Sequence, residues 1–197
     1  MKKEKHRMNS SEKRKLIINK INYCEKNGRF SLEKEFIQHG NFSVYKHSIS
    51  VAILSLNIAS KFNLRIDYDS LVRGALLHDY FLYDWHTHKT FPCAHGFAHP
   101  FIALKNAKED FSLTNHEKDI IVHHMFPLVP LPPLTPEGWI VCLSDKICAC
   151  YETVYAIGIA LKRMVYLIYL QTKKAVCIVK PHNVVFKADK SHKLPAV

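Results

Sequence analysis

The chain has 197 residues, of which 48% are apolar and 23% are charged, and its formal net charge is +11. This composition suits one globular domain with a single sizeable core, and it excludes disordered, collagen-like and low-complexity chains. No uninterrupted apolar run approaches the roughly 20 residues that cross a bilayer, because Lys162 and Arg163 break the longest one, Val154 to Leu170, so we expect no membrane span.

The positive charge lies at the two ends of the chain. Residues 1–15 hold seven Lys or Arg against two Glu, a net +5, and residues 171–197 hold six Lys against one Asp, again +5. We therefore predict a basic N-terminal tail (1–15), a helical domain (16–170) and a basic C-terminal extension (171–197). The tails are typical of solvated ends, with binding of nucleic acid or acidic lipid as the alternative. Six cysteines without a C-x-x-C pair, and no apolar leader, favour a reduced cytoplasmic location.

The N-terminal segment predicts a first helix. Ser10 or Ser11 can cap it, and it runs to about Lys26 with apolar residues at helical spacing. Residues 29–41 form a mixed connector that can hold a short helix.

Two further helices follow with stronger patterns. From Ser43 to Phe62 apolar residues recur three and four apart, and His47 falls on the same stripe, so its imidazole faces the core. Asp69 or Ser70 caps the next helix, which ends at His78-Asp79.

The middle of the chain combines a long connector with two helices. Residues 80–98 are rich in aromatic side chains and histidines, and a loop of this length is often functional. His99 can open a helix with Pro100 in its first turn. Thr114 starts a capping box for a helix that ends at His123-His124.

The C-terminal part starts with a proline-rich segment and ends with a weak pattern. Residues 126–136 carry five prolines and predict a stiff, extended connector. Thr135 then caps a helix that runs past Glu152. Residues 175–179 and 184–187 can form a small hairpin. The fold class predicted from this order is all-α.

Five imidazoles and two carboxylates lie within or at the ends of these apolar helices. Such groups are unfavourable when buried without partners, and one or two divalent cations would satisfy them together. Imidazole with carboxylate suits Fe, Mn, Zn, Co or Ni, and the lack of nearby thiolates argues against a cysteine-type structural zinc site. The predicted metal ligands are His47, His78, Asp79, His99, His123, His124 and Asp145.

The order of these residues resembles the HD-domain superfamily of metal-dependent phosphohydrolases, whose pattern is H…HD…D across a helical bundle. The matching residues are His47, His78-Asp79 and Asp145, and the resemblance covers residues 43–152. It implies a bundle of six to seven helices, a divalent transition metal cofactor, most often Fe or Mn, and hydrolysis of a phosphoester or phosphoanhydride.

Three more histidines are similar to those of the two-metal branches of that superfamily. The resemblance implies one metal held by His47, His78, Asp79 and Asp145, with Asp79 bridging to a second metal held by His99, His123 and His124. Adjacent helical residues point about 100° apart, so the choice between the two neighbouring histidines stays open. The implied reaction is attack by a metal-activated hydroxide on a small phosphorylated substrate. We interpret this substrate as a nucleotide.

The His-rich connector supplies further candidates. His86 and His88 are candidate general acids, and Lys89 is a candidate for binding substrate phosphate. Ordinary exposed loop residues are the alternative interpretation for all three. The sequence lacks the Gly-Tyr-Pro of cyclic-dinucleotide phosphodiesterases after His123-His124, which argues against that specificity.

Two other functions fit the same sequence. A di-iron HD-type oxygenase resembles this ligand set and would activate dioxygen instead of hydrolysing phosphate. A non-enzymatic nucleotide- or nucleic-acid-binding module would use the basic tails. The sequence does not specify an oligomeric state.

Overall fold

The computed structural model describes residues 8–85 and 92–178. The chain is mostly helical in these ranges, and it also contains a short 3-10 helix (Phe30–Lys34) and an antiparallel pair of strands, β1 (Ile37–His39) and β2 (Phe42–Ser43). The helices are α1 (Ser10–Asn27), α2 (Val44–Lys61), α3 (Tyr68–Leu77), α4 (Pro92–Asp110), α5 (Asn115–His123) and α6 (Pro136–Ile178). The all-α prediction is confirmed.

The helix starts follow local capping chemistry. Ser43 caps α2 through its hydroxyl oxygen, and Thr114 and Glu117 form the predicted capping box of α5. At two other helices the sequence prediction missed by one to three residues, because Asn9 caps α1 and Asp67 caps α3. In each case a side-chain oxygen further upstream accepts from the first free backbone amides.

The core lies where α2, α3 and α5 meet. Leu56, Leu76 and Ile120 are among its fully buried side chains. Gly74 allows the close approach of α3 and α5, because a Cβ atom there would lie 2.5 Å from the Cδ1 atom of Ile120. This close packing brings the C-terminal ends of α3 and α5 together, and these ends carry the conspicuous histidines.

Three predicted elements are corrected. Helix α4 begins at Pro92, before the predicted start at His99, and Pro100 lies inside it. A proline within a helix removes one backbone hydrogen bond and its ring clashes with the preceding turn, yet α4 continues through Pro100 with His99 and Ala103 buried on either side of it. Residues 175–178 are helical, not strand, and residues 184–187 lie outside the described ranges. Strand β1 lies in the predicted connector, residues 29–41, and its partner β2 follows at Phe42–Ser43.

Two compact units divide the chain, residues 1–157 and residues 158–197. In the second unit the described side chains of 158–170 are almost all exposed. By length and composition alone, one helix, Pro136–Leu170, could cross a membrane, and no residue of its most apolar window is buried. The absence of a membrane span therefore stays a prediction.

Candidate metal centre

His47 anchors one side of a buried polar cluster. It lies on α2 at the predicted core-facing position and is fully buried. Its Nδ1 atom is 3.0 Å from Oε2 of Glu152, and its Nε2 atom is 3.1 Å from Oδ1 of Asp145. A carboxylate behind an imidazole fixes the orientation of the ring and raises its basicity as a metal ligand. Both acidic residues come from α6, two helical turns apart, so they share one face of that helix.

Three other imidazoles are held in one orientation by the backbone. The Nδ1 atoms of His78, His99 and His124 lie 2.8–2.9 Å from the carbonyl oxygens of Ala75, His95 and Ile121 respectively. A carbonyl oxygen only accepts, so each Nδ1 carries a proton and donates. In the neutral rings each Nε2 atom therefore presents a lone pair.

These lone pairs converge. The Nε2 atoms of His99 and His124 are 2.9 Å apart. Two neutral acceptors at this distance repel each other, but nitrogens bound to one transition-metal ion are separated by roughly 3 Å. The Nε2 atom of His78 is buried and has no hydrogen-bond partner within the described part of the chain. The arrangement is unfavourable by itself and becomes favourable around a cation.

Asp79 lies between the two groups of imidazoles. Its Oδ1 atom is 3.2 Å from Nε2 of His99 and 3.4 Å from Nε2 of His124. Its Oδ2 atom is 3.4 Å from Nε2 of His78 and 3.9 Å from Nε2 of His47. One carboxylate thus directs one oxygen to each side, which is the geometry that a bridging ligand requires.

The electrostatics of the cluster favour positive charge. Burial opposes the ionisation of Asp145, yet the nearby imidazoles of His47 and His78 hold its pKa well below its usual value. Burial likewise opposes charge on His47, but hydrogen bonds to Asp145 and Glu152 raise its pKa to about 10. Burial lowers the pKa of His124 to about 4. The carboxylates are therefore anionic and His124 is neutral near pH 7, whereas His47 carries a proton that it must release when a metal binds.

The donor set fits a metal ion. Two groups of three buried residues each place their ligand atoms within 4.8 Å of one another. One group is His47, His78 and Asp145, and the other is His78, Asp79 and His124. Imidazole nitrogens and carboxylate oxygens are typical ligands of Fe, Mn, Zn, Co and Ni. Of the seven predicted ligands, the structure brings six together: His47, His78, Asp79, His99, His124 and Asp145.

His123 differs from its neighbour His124. Its Nδ1 atom is 2.6 Å from Oδ1 of Asp119, whose carboxylate also accepts from the backbone amides of Leu134 and Thr135. These hydrogen bonds of Asp119 connect the end of α5 to the start of α6. The placement favours His124 over His123 as the ligand from the predicted pair.

Two polar residues near Asp79 were not predicted from the sequence. The Nε2 atom of Gln38 donates to Oδ2 of Asp79 at 2.6 Å, and Gln38 is buried. Glu33 is fully buried, and burial, followed by the charge of Asp79, raises its pKa well above the usual value. Gln38 lies on the unpredicted strand β1, so no sequence signal identified it.

A signal in the sequence could have identified Glu152. It follows Asp145 by seven residues, and a seven-residue interval places two side chains on one face of a helix. The predicted helix already ran past it, so its face was known in principle. His86, His88 and Lys89, the candidates from the connector, lie outside the described residues.

A cavity of about 340 Å³ opens onto the cluster. Asp79, His99, His124 and Asp145 contribute to its floor, and Lys146 adds a cation. Trp85 belongs to its apolar wall and stacks on His95, with ring centroids 4.9 Å apart and planes 10° from parallel. The Oη atom of Tyr83 is 2.8 Å from Nδ1 of His95, which fixes that ring. Further apolar lining comes from Met125, Pro127 and Leu128.

Comparison with known proteins gives one match. A family model described as HD domain matches residues 44–150, more than half of the chain. The matched range contains all six clustered ligands and ends just before Glu152. No curated protein and no solved structure matches the chain.

Proposed function

The chain belongs to the HD-domain family, a superfamily of metal-dependent phosphohydrolases, and we propose that it hydrolyses a phosphoester or phosphoanhydride bond of a nucleotide. The observation that carries this proposal is the convergence of imidazole lone pairs on both oxygens of Asp79. Imidazole nitrogens and the anionic carboxylates of Asp79 and Asp145 form a buried cluster that suits cations, and the cavity beside it has room for a small substrate.

Two metal ions are proposed. His47, His78, Asp79 and Asp145 would hold the first, and Asp79, His99 and His124 the second. Fe or Mn fit this donor set best, with Zn, Co or Ni as alternatives. Bound divalent ions supply Lewis acidity, which lowers the pKa of a coordinated water and offsets charge on phosphoryl oxygens.

The residues of the chain have separate tasks in this proposal. Glu152 accepts the Nδ1 proton of His47 and so directs its Nε2 atom towards Asp145. Gln38 donates to Oδ2 of Asp79 and limits rotation of that carboxylate. The backbone carbonyl of Ile121 holds the Nδ1 proton of His124. These contacts hold the ligands before a metal or substrate arrives, which reduces the reorganisation that the reaction needs.

The cavity lining suggests the substrate class. The Nζ atom of Lys146 donates to the carbonyl oxygen of His124 at 2.7 Å and lies at the edge of the cluster, where an anionic phosphate would meet it. Trp85 offers an apolar, aromatic surface on the wall. An anion site next to an aromatic wall suits a phosphorylated molecule with a planar ring, so a nucleotide is the proposed substrate.

The test is phosphate release under anaerobic conditions. Purified protein is loaded with Mn or Fe, its metal content is verified by elemental analysis, and nucleoside mono-, di- and polyphosphates are offered. We expect release from at least one of them, and no release after the metal is removed by a chelator. Inactivity on every phosphoester with metal verified would contradict the proposal.

The same preparation distinguishes the alternatives. Oxygen consumption, together with a mixed-valent iron spectrum and no phosphate release, would identify the di-iron oxygenase. Nucleotide binding without turnover would identify a binding module. A cytoplasmic location and nucleic-acid binding through the tails stay predictions, since residues 1–7 and 179–197 lie outside the described ranges.

A further inference from the structure

A second cavity lies beside the one that opens onto the ligand cluster. The first has a volume of about 340 Å³ and the second a volume of about 400 Å³. Pro127 and Lys146 belong to the linings of both, so the two cavities are neighbours that share part of a wall. Both volumes fall in the range of roughly 300–1,000 Å³ that is usual for pockets of small molecules. All the lining residues of both cavities belong to the first compact unit.

The second cavity is apolar, and two aromatic side chains form part of its wall. The ring centroids of Phe126 and Trp139 are 5.5 Å apart and their planes are 75° from parallel, which is a favourable edge-to-face contact. Trp139 and Leu143 are about half exposed, at 48% and 53%. Large apolar side chains around a concave, partly open space are typical of a ligand pocket. Besides the two shared residues, the lining consists of Ile58, Phe126, Trp139, Ile140, Cys142 and Leu143.

Lys146 is the one charged residue in the lining of the second cavity, within the part of the chain that the structure describes. Its Nζ atom donates to the carbonyl oxygen of His124 at 2.7 Å and lies 3.7 Å from Oδ2 of Asp145. An ammonium group has three N–H donors, so Lys146 can also donate to an oxygen of a phosphate. A phosphate bound in this way would lie at the edge of the ligand cluster and at the boundary between the two cavities.

A phosphate at this boundary has room for an organic group on each side. On the side of the first cavity, Trp85 and the apolar lining can take the nucleoside of the proposed substrate. A substituent that leaves the phosphate in the other direction would pass Pro127 and the aliphatic stem of Lys146 and reach Trp139. A nucleotide that ends in a free phosphate would leave the second cavity without a ligand.

We propose that the second cavity binds a second organic group of the substrate, so that the preferred substrate is a phosphodiester or phosphoanhydride with a ring or another apolar group at both ends. This inference rests on the proposed function and names the substrate class of the same site. In the reaction, water gives its hydroxyl group to phosphorus, the bond from phosphorus to the leaving oxygen breaks, and that oxygen takes the remaining proton. The group in the second cavity then leaves as an alcohol or as a phosphorylated product.

The two tryptophans of the chain report on one cavity each, Trp85 on the first and Trp139 on the second. Full-length, Zn-loaded protein is labelled with 5-fluorotryptophan, and Trp85→Phe and Trp139→Phe assign its two fluorine NMR resonances. Thymidine 5′-monophosphate is expected to shift only the Trp85 resonance, whereas its phenyl ester is expected to shift both. A Trp139 resonance that stays in place on addition of the phenyl ester, or that responds equally to both ligands, would overturn the proposal.

Substitutions in the second cavity measure its contribution to specificity. The substrates compared are the 4-nitrophenyl ester of thymidine 5′-monophosphate and the nucleotide from which phosphate release is fastest. Trp139→Ala and Leu143→Asn should each raise KM for the ester, relative to KM for the nucleotide, by about tenfold. Leu134→Asn is the control, because Leu134 is 79% exposed and lines neither cavity. Equal changes of both KM values in the two cavity variants would contradict the proposal.

The NMR and kinetic measurements also separate this proposal from the proposed function. Metal-dependent phosphate release from nucleotides, without a response of Trp139 to the phenyl ester, would support hydrolysis and refute the second cavity as part of the site. A response of Trp139 to the phenyl ester alone, in protein that hydrolyses no phosphoester, would support binding of the second group and contradict the hydrolytic function.

Discussion

Helix α6 contains two stretches in which burial does not follow polarity: acidic residues are buried in the first, and apolar residues are exposed in the second. From Pro136 to Ile157 the acidic residues Glu137, Asp145 and Glu152 are buried. From residue 158 to 170, aliphatic and aromatic side chains such as Leu161 and Ile168 are more than half exposed. Buried acids and exposed aliphatics are both unfavourable in an isolated chain.

The two inversions indicate two different missing partners. The buried acids at the ligand cluster lie among imidazole nitrogens, so a cation would compensate them. The exposed aliphatics of residues 158–170 lie on several faces of the helix, among them Ile159, Leu161 and Leu167, so an apolar environment would compensate them. Each stretch of α6 therefore marks a binding event of distinct chemistry, and substitutions can test each of them separately.

The largest effect is expected from Asp79, because its two oxygens face the imidazoles on both sides of the ligand cluster. Asp79→Ala removes both oxygens that face the imidazoles, so metal content should fall close to zero and hydrolysis by about 1,000-fold or more. Elemental analysis and phosphate release measure the two. Asp69→Ala is the control, because its side chain is 68% exposed on the first turn of α3. Unchanged metal content in Asp79→Ala would contradict the cluster as a metal site.

Substitutions of the neighbouring histidines at the end of α5 test which of the two binds the second metal ion. His124→Ala should lose the second ion, whereas His123→Ala should keep the full metal content. The latter removes a contact with Asp119 and should lower the free energy of unfolding by about 1–3 kcal/mol. Urea denaturation and elemental analysis separate the two roles. Equal metal loss in both variants would place His123 in the metal site after all.

Glu152 tests whether the outer contacts matter. Glu152→Gln keeps the shape of the side chain but removes the charge behind His47, so metal affinity should fall by about 10- to 100-fold. Competition with a chromophoric chelator gives the affinity. The exposed Glu35, replaced by Gln, serves as the matched control. An affinity equal to that of the wild type would limit Glu152 to packing.

Lys146 tests the substrate side of the cluster. Lys146→Gln should raise KM for the phosphorylated substrate by about tenfold, the loss of one hydrogen bond to a charged group. Metal content should not change, since no lysine nitrogen belongs to the ligand set. Steady-state kinetics measure the effect, and Lys105→Gln on the outer surface of α4 is the control. A tenfold loss that appears only in kcat would argue against phosphate binding by Lys146.

The smallest expected effect compares two glycines, one in each environment. A Cβ at Gly158 meets no atom within 4 Å, so Gly158→Ala should stabilise the helix by about 0.5–1 kcal/mol. A Cβ at Gly74 would lie 2.5 Å from Ile120, so Gly74→Ala should destabilise the core by about 1–3 kcal/mol. Chemical denaturation followed by circular dichroism measures both. Destabilisation by Gly158→Ala would contradict the open surroundings of residue 158.

Local patterns in the sequence predicted much of the fold. The apolar stripe of α2 placed His47 on the core side, and the structure confirms its complete burial. The capping box at Thr114 set the start of α5 because it depends only on neighbouring residues. The start of α4 was not predicted correctly, because tertiary packing there outweighs the local preference of Pro100.

The same limit applies to the candidate site. The sequence identified the chemical types of the ligands and the helices that carry them, since imidazoles and carboxylates on apolar helices need partners wherever they lie. Only the tertiary structure separated His124 from His123, and only it placed Gln38 against Asp79 and Glu152 against His47. A local pattern fixes which face of a helix is buried, but the distance between atoms on different helices depends on how those helices pack, and long-range contacts decide that.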